Sequence, residues 1–160
     1  MEFIKIKPDF SIEPIREIIN SFKFPTEKVS MIENGFKSEL KEAEDNRMIF
    51  VGKEHNLTLV MVQLILNNAD NDPELANSTN IAHIHNLRVR MDFHRQGIAR
   101  KTMTFVEQIS KELGKTILTL GVDDFNTSAV LLYEILGYTV FKTEPGRNPN
   151  ETLLLMRKYI

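Results

Sequence analysis

Cysteine is absent from the 160 residues, which excludes a disulfide framework, a Cys-ligated metal and a cysteine nucleophile. No apolar stretch is long enough to span a bilayer. An excess of either charge is also missing. The 20 Lys and Arg stand against 22 Asp and Glu, a formal net charge of -2, so the chain offers no global field for nucleic acid. Neither Gly-x-Gly-x-x-Gly nor the Walker lysine pattern occurs, which argues against a dinucleotide or NTP enzyme. There are no internal repeats and no low-complexity tracts. The N-terminus lacks the basic-then-apolar pattern of a signal peptide, so Asn56-Leu57-Thr58 and Asn77-Ser78-Thr79 read as chance sequons and a cytoplasmic location is expected. Neither a membrane nor nucleic acid is expected as a partner. What is present is 42% hydrophobic and 26% charged, a composition suited to one domain with a single core over residues 1–160.

Phe3 to Lys7 alternates apolar and basic residues and reads as a first strand that Pro8 terminates. Ser11 is placed to cap a helix through about Phe22, with Ile12, Ile15, Ile18 and Ile19 as its buried stripe. Phe24-Pro25-Thr26 breaks it, and the spacing predicts a second amphipathic helix from Met31 to Ala43, its glutamates forming a solvated face. Met48–Gly52 and Leu57–Leu66 read as strands joined by a hairpin turn over Lys53-Glu54-His55-Asn56. The second is nearly continuous in apolar residues, as a central strand is. Asn67–Asn80 is a polar loop carrying Asp70, Asp72 and Glu74. A loop of that length is either functional or mobile, and the mobile reading comes slightly first.

Ile81–Val89 is the next strand, and strict alternation puts His83, His85, Leu87 and Val89 on one face. It runs through a basic, glycine-containing turn into a helix that begins near Gly97 or Ile98. The first N–H groups of such a helix lack intrahelical partners, and the macrodipole adds partial positive charge, so an anion is favoured there. Gly97 removes the β-carbon that would hold a phosphate away from the backbone, Ala99 keeps the first turn small, and Arg95 and Arg100 add charge. An ordinary loop-to-helix junction reads the same way in isolation. The helix buries Phe105, Val106, Ile109 and Leu113 on one face, and Gly114 closes it. Thr116–Val122 is a strand, Asp124 or Asn126 caps another helix, and Gly137 ends that one. Thr139–Phe141, a turn around Pro145–Pro149 and the closing strand Thr152–Tyr159 complete the chain; Gly146 and Arg147 sit in what reads as a solvated turn.

Over roughly Ile81–Phe141 the sequence resembles the GNAT superfamily of acetyl-CoA-dependent N-acetyltransferases. The resemblance is carried by His94-Arg95-Gln96-Gly97-Ile98-Ala99, matching a Gln/Arg-x-x-Gly-x-Gly/Ala turn. It is carried again by Asn126, Ala129, Tyr133, Gly137 and Tyr138, matching Asn-x-x-Ala-x-x-x-Tyr-x-x-x-Gly-Phe/Tyr without a gap. One position departs: His94 stands where Gln or Arg is usual, and no phosphate contact is assigned to its side chain. The resemblance implies an α/β (α+β) fold, a mixed, mostly antiparallel twisted sheet of about six to seven strands with helices on both faces. A splay is expected where the strand before the cradle leaves its neighbour.

The resemblance also implies a chemistry, transfer of an acetyl group from acetyl-CoA, as cosubstrate, to a primary amine by direct attack. The pyrophosphate would sit on the amides of Arg95, Gln96, Gly97, Ile98, Ala99 and Arg100. The pantetheine would pair with the backbone of Leu87, Arg88 and Val89, and an N–H near Val89 would stabilise the oxyanion. An ammonium must lose a proton before it attacks, and a histidine titrates in the right range. His83 matches by position where some members carry a glutamate base. The alternative is that His83 or His85 is packed in the sheet, bonded across strands. Two imidazoles in line need further ligands to hold a metal, and none is indicated, so no metal is expected. Asn126, Val130 and Tyr133 form one helical stripe that in the family approaches the thiol, so Tyr133 is the candidate acid for the departing thiolate, with a core tyrosine as the alternative. Asn126 has a second role open to it as an N-cap. The carboxylates of the 67–80 loop are candidates for attracting an ammonium. The acceptor is a small-molecule or peptide amine left unidentified, polyamine, amino acid, antibiotic and protein amine all standing open, and a homodimer is open as well. A non-catalytic CoA-binding sensor or interaction module would need the cradle but neither base nor acid.

Overall fold

The computed structural model describes residues 1–160. Seven strands, β1 (Glu2–Ile6), β2 (Arg47–Glu54), β3 (Leu57–Ile65), β4 (Ile81–Val89), β5 (Ile117–Asp123), β6 (Thr139–Pro145) and β7 (Thr152–Tyr159), form one sheet in the order β1-β2-β3-β4-β5-β7-β6. The helices are α1 (Glu13–Asn20), α2 (Thr26–Lys41), α3 (Ile98–Glu112) and α4 (Thr127–Ile135). β4 and β5 run parallel, whereas β1 with β2, β5 with β7 and β6 with β7 are antiparallel. The mixed, mostly antiparallel seven-stranded sheet is the fold the resemblance implies.

The chain forms two compact units. The first comprises Met1–Leu64 and Asn86–Met103. Its alternation sorts side chains onto two faces: Ile4 and Ile6 of β1 join Ile49, Val51, Ile15, Ile18, Ile19, Phe36 and Leu40 in one apolar cluster. Met1 and Phe3 join Leu59, Val60, Leu87, Val89, Phe93 and Ile98 in another. So α1 and α2 cover one face and the first residue of α3 covers the other. Ile18 is fully buried in the first cluster. Ile18→Ala is expected to cost about 2–5 kcal/mol through lost transfer energy and a residual cavity, read as a fall in the denaturant midpoint at unchanged slope.

Several boundaries differ from the sequence expectation for local reasons. Pro25, with φ -54° and ψ 150°, stands just before α2, which therefore starts at Thr26, five residues before Met31. The N-cap of α1 is Ile12, and Ser11 instead accepts the Glu13 N–H at 3.3 Å. The β2–β3 turn is the pair His55-Asn56, with φ 48° and 65°, the left-handed pair of a tight two-residue hairpin. β3 is buried along its whole length after Leu57, as expected of a central strand.

The second unit comprises Ile65–His85 and Thr104–Ile160. β7 lies between β5 and β6, and a register shift between Val140 and Lys142 marks a bulge in β6. The 67–80 loop is built in rather than loose: Ala69, Leu75 and Ala76 are buried with Ile65 and Leu155. The Asn77 carboxamide accepts the N–H groups of Thr79, Asn80 and Ile81 at 3.0–3.1 Å. Along α3 the buried residues are Ile98, Thr102, Met103, Val106 and Ser110, and Leu113 is 43% exposed, so the buried face is rotated from the expected one.

Candidate active site

In the first unit the turn before α3 has the expected local geometry. Arg95 takes φ 63° and Gly97 φ 77°, turning the chain so that α3 opens at Ile98. The first intrahelical bond runs from the Lys101 N–H to the Gly97 carbonyl at 3.0 Å. The N–H groups of the residues before Lys101 therefore lie ahead of the ladder, where an anion is favoured. A Cβ built on Gly97 would meet nothing within 4 Å, so the space beside this residue is open. Ile98 is buried and anchors the turn, Ala99 is half-buried, and Arg95, Gln96 and Arg100 are exposed. These residues fit a pyrophosphate: backbone donors, a helix N-terminus and arginines without an intervening β-carbon.

The approach to the cradle is pinned at several points. The Arg90 N–H donates to the Leu59 carbonyl at 2.8 Å and the Met91 N–H to Ser21 Oγ at 2.9 Å. Arg90 pairs with Asp92 at 2.9 Å, which raises the guanidinium's affinity for its proton and holds the Asp92 carboxyl below the usual range. His94 Nε2 lies 2.9 Å from the Val89 carbonyl, and because a carbonyl only accepts, that nitrogen carries the hydrogen. Its ring also meets Phe22 edge-on at 5.7 Å. The departure from Gln or Arg at this position is thus a clip across the turn. Leu87 and Val89 are half-buried in the apolar cluster under it, and the Arg88 guanidinium stands 5.9 Å over Phe22.

Strict alternation along β4 does not hold. Asn86 adopts φ 49°, a left-handed residue inside an extended strand, which interrupts the regular alternation expected along β4. Parallel pairing covers Ile81–Ile84 against Ile117–Leu120, and β4 continues beyond it to Val89.

In the second unit, His83 is 4% exposed and its Nδ1 lies 2.8 Å from Thr119 Oγ1, its register partner on β5. The Thr119 hydroxyl donates its one proton to the Leu75 carbonyl at 2.7 Å. It must therefore accept from His83, which places the imidazole hydrogen on Nδ1 and makes Nε2 the basic nitrogen. The cross-strand bond anticipated as an alternative exists. Thr119 was not singled out from sequence; its pairing with His83 depends on the β4–β5 register. The His85 ring is 6.3 Å from that of His83. Two loop carboxylates are already engaged: Lys142 pairs with Asp72 and lies 3.4 Å from Glu74. The Lys142 ammonium holds the Asp72 carboxyl below its ordinary value. They are less able to attract an ammonium than the sequence suggested.

Asn126 caps α4, its side-chain oxygen accepting the Ala129 N–H at 3.4 Å. Tyr133, half-buried on α4, meets Tyr138 edge-on at 6.1 Å, and burial pushes its phenol up to about 12. Tyr138 donates to Glu107 at 3.3 Å, and Lys158 holds both oxygens of that carboxylate at 2.9 Å. Burial and the Glu107 charge raise the Tyr138 phenol strongly.

Comparison with known proteins places the chain in one family. The catalytic subunit NAA20 of the N-terminal acetyltransferase B complex of Arabidopsis thaliana is 34% identical over 61 residues, 38% of this chain and 35% of that protein. The chain spans about a third of the length of the curated relatives it matches, 31% and 35%. The ribosomal-protein-S18-alanine N-acetyltransferase of Escherichia coli superposes with a TM-score of 0.74 at 17% identity, over 99% of this chain and 93% of that one. The PaiA N-acetyltransferase of Thermoplasma acidophilum, solved in complex with coenzyme A, superposes with a TM-score of 0.71 at 15% identity, over 99% and 98%. No helix is long and apolar enough to cross a membrane. The profile of the Acetyltransferase (GNAT) family matches residues 12–138, most of the sequence and both of its motifs, and the chain belongs to that family.

Proposed function

We propose that this chain transfers an acetyl group from acetyl-CoA to a primary amine by direct attack. The observation that carries the reading is the cradle at α3: backbone donors at a helix start, Gly97 at φ 77°, and open space where a side chain would stand. Family membership supports it, as does the coenzyme A held by the Thermoplasma relative.

In this reading the amides from Arg95 to Arg100 and the nearby guanidinium groups bind the pyrophosphate, and the backbone of Leu87, Arg88 and Val89 holds the pantetheine. The amine nitrogen forms a bond to the acetyl carbon while the carbon–sulfur bond breaks. A backbone N–H near Val89 supports the oxyanion. His83 Nε2, directly or through a water, takes the proton the amine loses. Tyr133 supplies a proton to the sulfur that leaves. A phenol raised to about 12 is protonated throughout the neutral range and so acts as a donor, not as a base.

Acetyl-CoA titrated into the protein in a calorimeter, followed by a thiol-release screen over polyamines, amino acids, aminoglycosides and peptide N-termini, tests the proposal. Micromolar-range binding with thiol release on at least one amine is expected. Binding without release on any amine points to a CoA sensor, and no binding by folded protein overturns the reading.

A further inference from the structure

A run of polar side chains in the first unit is left unused by the chemistry above. Gln63 is fully buried in β3, between apolar neighbours. Arg47 of β2 donates through Nη1 to its carbonyl oxygen, and Gln63 donates through Nε2 to Glu39 Oε2 on α2. Asn86 Nδ2 donates at 3.2 Å to the other Glu39 oxygen. Arg47 is itself steadied by Glu42 at 3.1 Å. A buried amide in a central strand costs free energy unless its partners are oriented, and here every bond in the run points toward Glu39. The run ends on Asn86, the one residue of β4 with a positive φ, 49°.

We propose that Glu39 is a positioning residue for the acyl carrier: its carboxylate, oriented by Gln63 and Arg47, holds Asn86 in the left-handed conformation and so sets the backbone of Leu87, Arg88 and Val89. Asparagine tolerates that conformation better than other side-chain-bearing residues, but does not prefer it over the extended one. A bond from its carboxamide to a fixed carboxylate tips the balance. Without it, β4 has less to keep its phase offset after His85. The consequence for binding rests on the acetyl-CoA reading, whereas the effect on the backbone does not.

The experiment uses the full chain as wild type, Glu39→Ala, Asn86→Gly and the double variant. Amide resonances of Leu87, Arg88 and Val89 are recorded without ligand, and acetyl-CoA affinity is measured by calorimetry. Glu39→Ala is expected to shift those three amides and to weaken acetyl-CoA binding about tenfold, the scale of a lost hydrogen bond to a charged group. Glycine adopts positive φ unaided, so on the Asn86→Gly background Glu39→Ala should have little further effect on either readout. A carboxylate that merely stabilised α2 would cost the same on both backgrounds, and that result overturns the proposal. Unmoved amides in Glu39→Ala overturn it as well. Amides that move in a protein that does not bind acetyl-CoA at all would leave the positioning in place and remove the acetyl-CoA reading instead.

Discussion

Gly97→Glu is expected to abolish measurable acetyl-CoA binding while the protein still unfolds cooperatively, the largest effect expected of any single substitution in the proposed cradle. Two terms add. The side chain starts in open space beside the first turn of α3, since an added Cβ meets nothing within 4 Å. Its carboxylate then opposes a pyrophosphate at close range, worth several kcal/mol at a near-surface dielectric and hence at least about a hundredfold in affinity. The folding cost is smaller, because a non-glycine residue at φ 77° pays about 1–2 kcal/mol against a typical stability of about 5–15. Gly97→Asn separates the terms, since asparagine tolerates the backbone conformation and carries no charge. It should retain more affinity than the glutamate variant. Calorimetry on both variants, with thermal unfolding alongside, decides the matter, and wild-type affinity in Gly97→Glu would move the anion site elsewhere.

Tyr133→Phe is expected to lower turnover by about 10²–10⁴-fold, the range of a lost general acid, with acetyl-CoA affinity nearly unchanged. Phenylalanine keeps the ring and its edge-on contact with Tyr138 at 6.1 Å, so the change is confined to the hydroxyl. The pH profile adds a second check. Burial raises the phenol from 10.0 to about 12, so its protonated form persists through mildly alkaline pH and a loss of activity there belongs to another group. Turnover in the phenylalanine variant equal to wild type, on an amine the wild type accepts, would remove Tyr133 from the chemistry.

The parts of the site that were legible share one property: their meaning is local. Gly97 and Ala99 open a helix, Asn126 caps one and Gly137 ends one, and each needs only the chain a few residues on either side. His94 was legible as a departure but its use was not, because Val89 and Phe22 reach it only after the turn and the α1–α2 connection fold toward each other. Thr119 beside His83 depends on strand register, and no period within either strand encodes which residues face across a parallel pair. Glu39 looked like part of a solvated helical face, although a sign was present in the sequence. Gln63 interrupts a nearly continuous apolar strand, and a buried amide requires a partner from outside that strand.

By itself the sequence determined most of the strands and helices, the glycine turn that opens α3 and the two motifs of the GNAT family, because hydrophobic spacing and backbone permissiveness are properties of neighbours in the chain. Tertiary structure alone decided the histidine tautomer set by Thr119 and Leu75, the engagement of Asp72 by Lys142, and the left-handed break at Asn86 tied to Glu39. Each of these is a hydrogen bond or ion pair between residues far apart in sequence, and such partners become definite only when packing fixes the distance and angle between them.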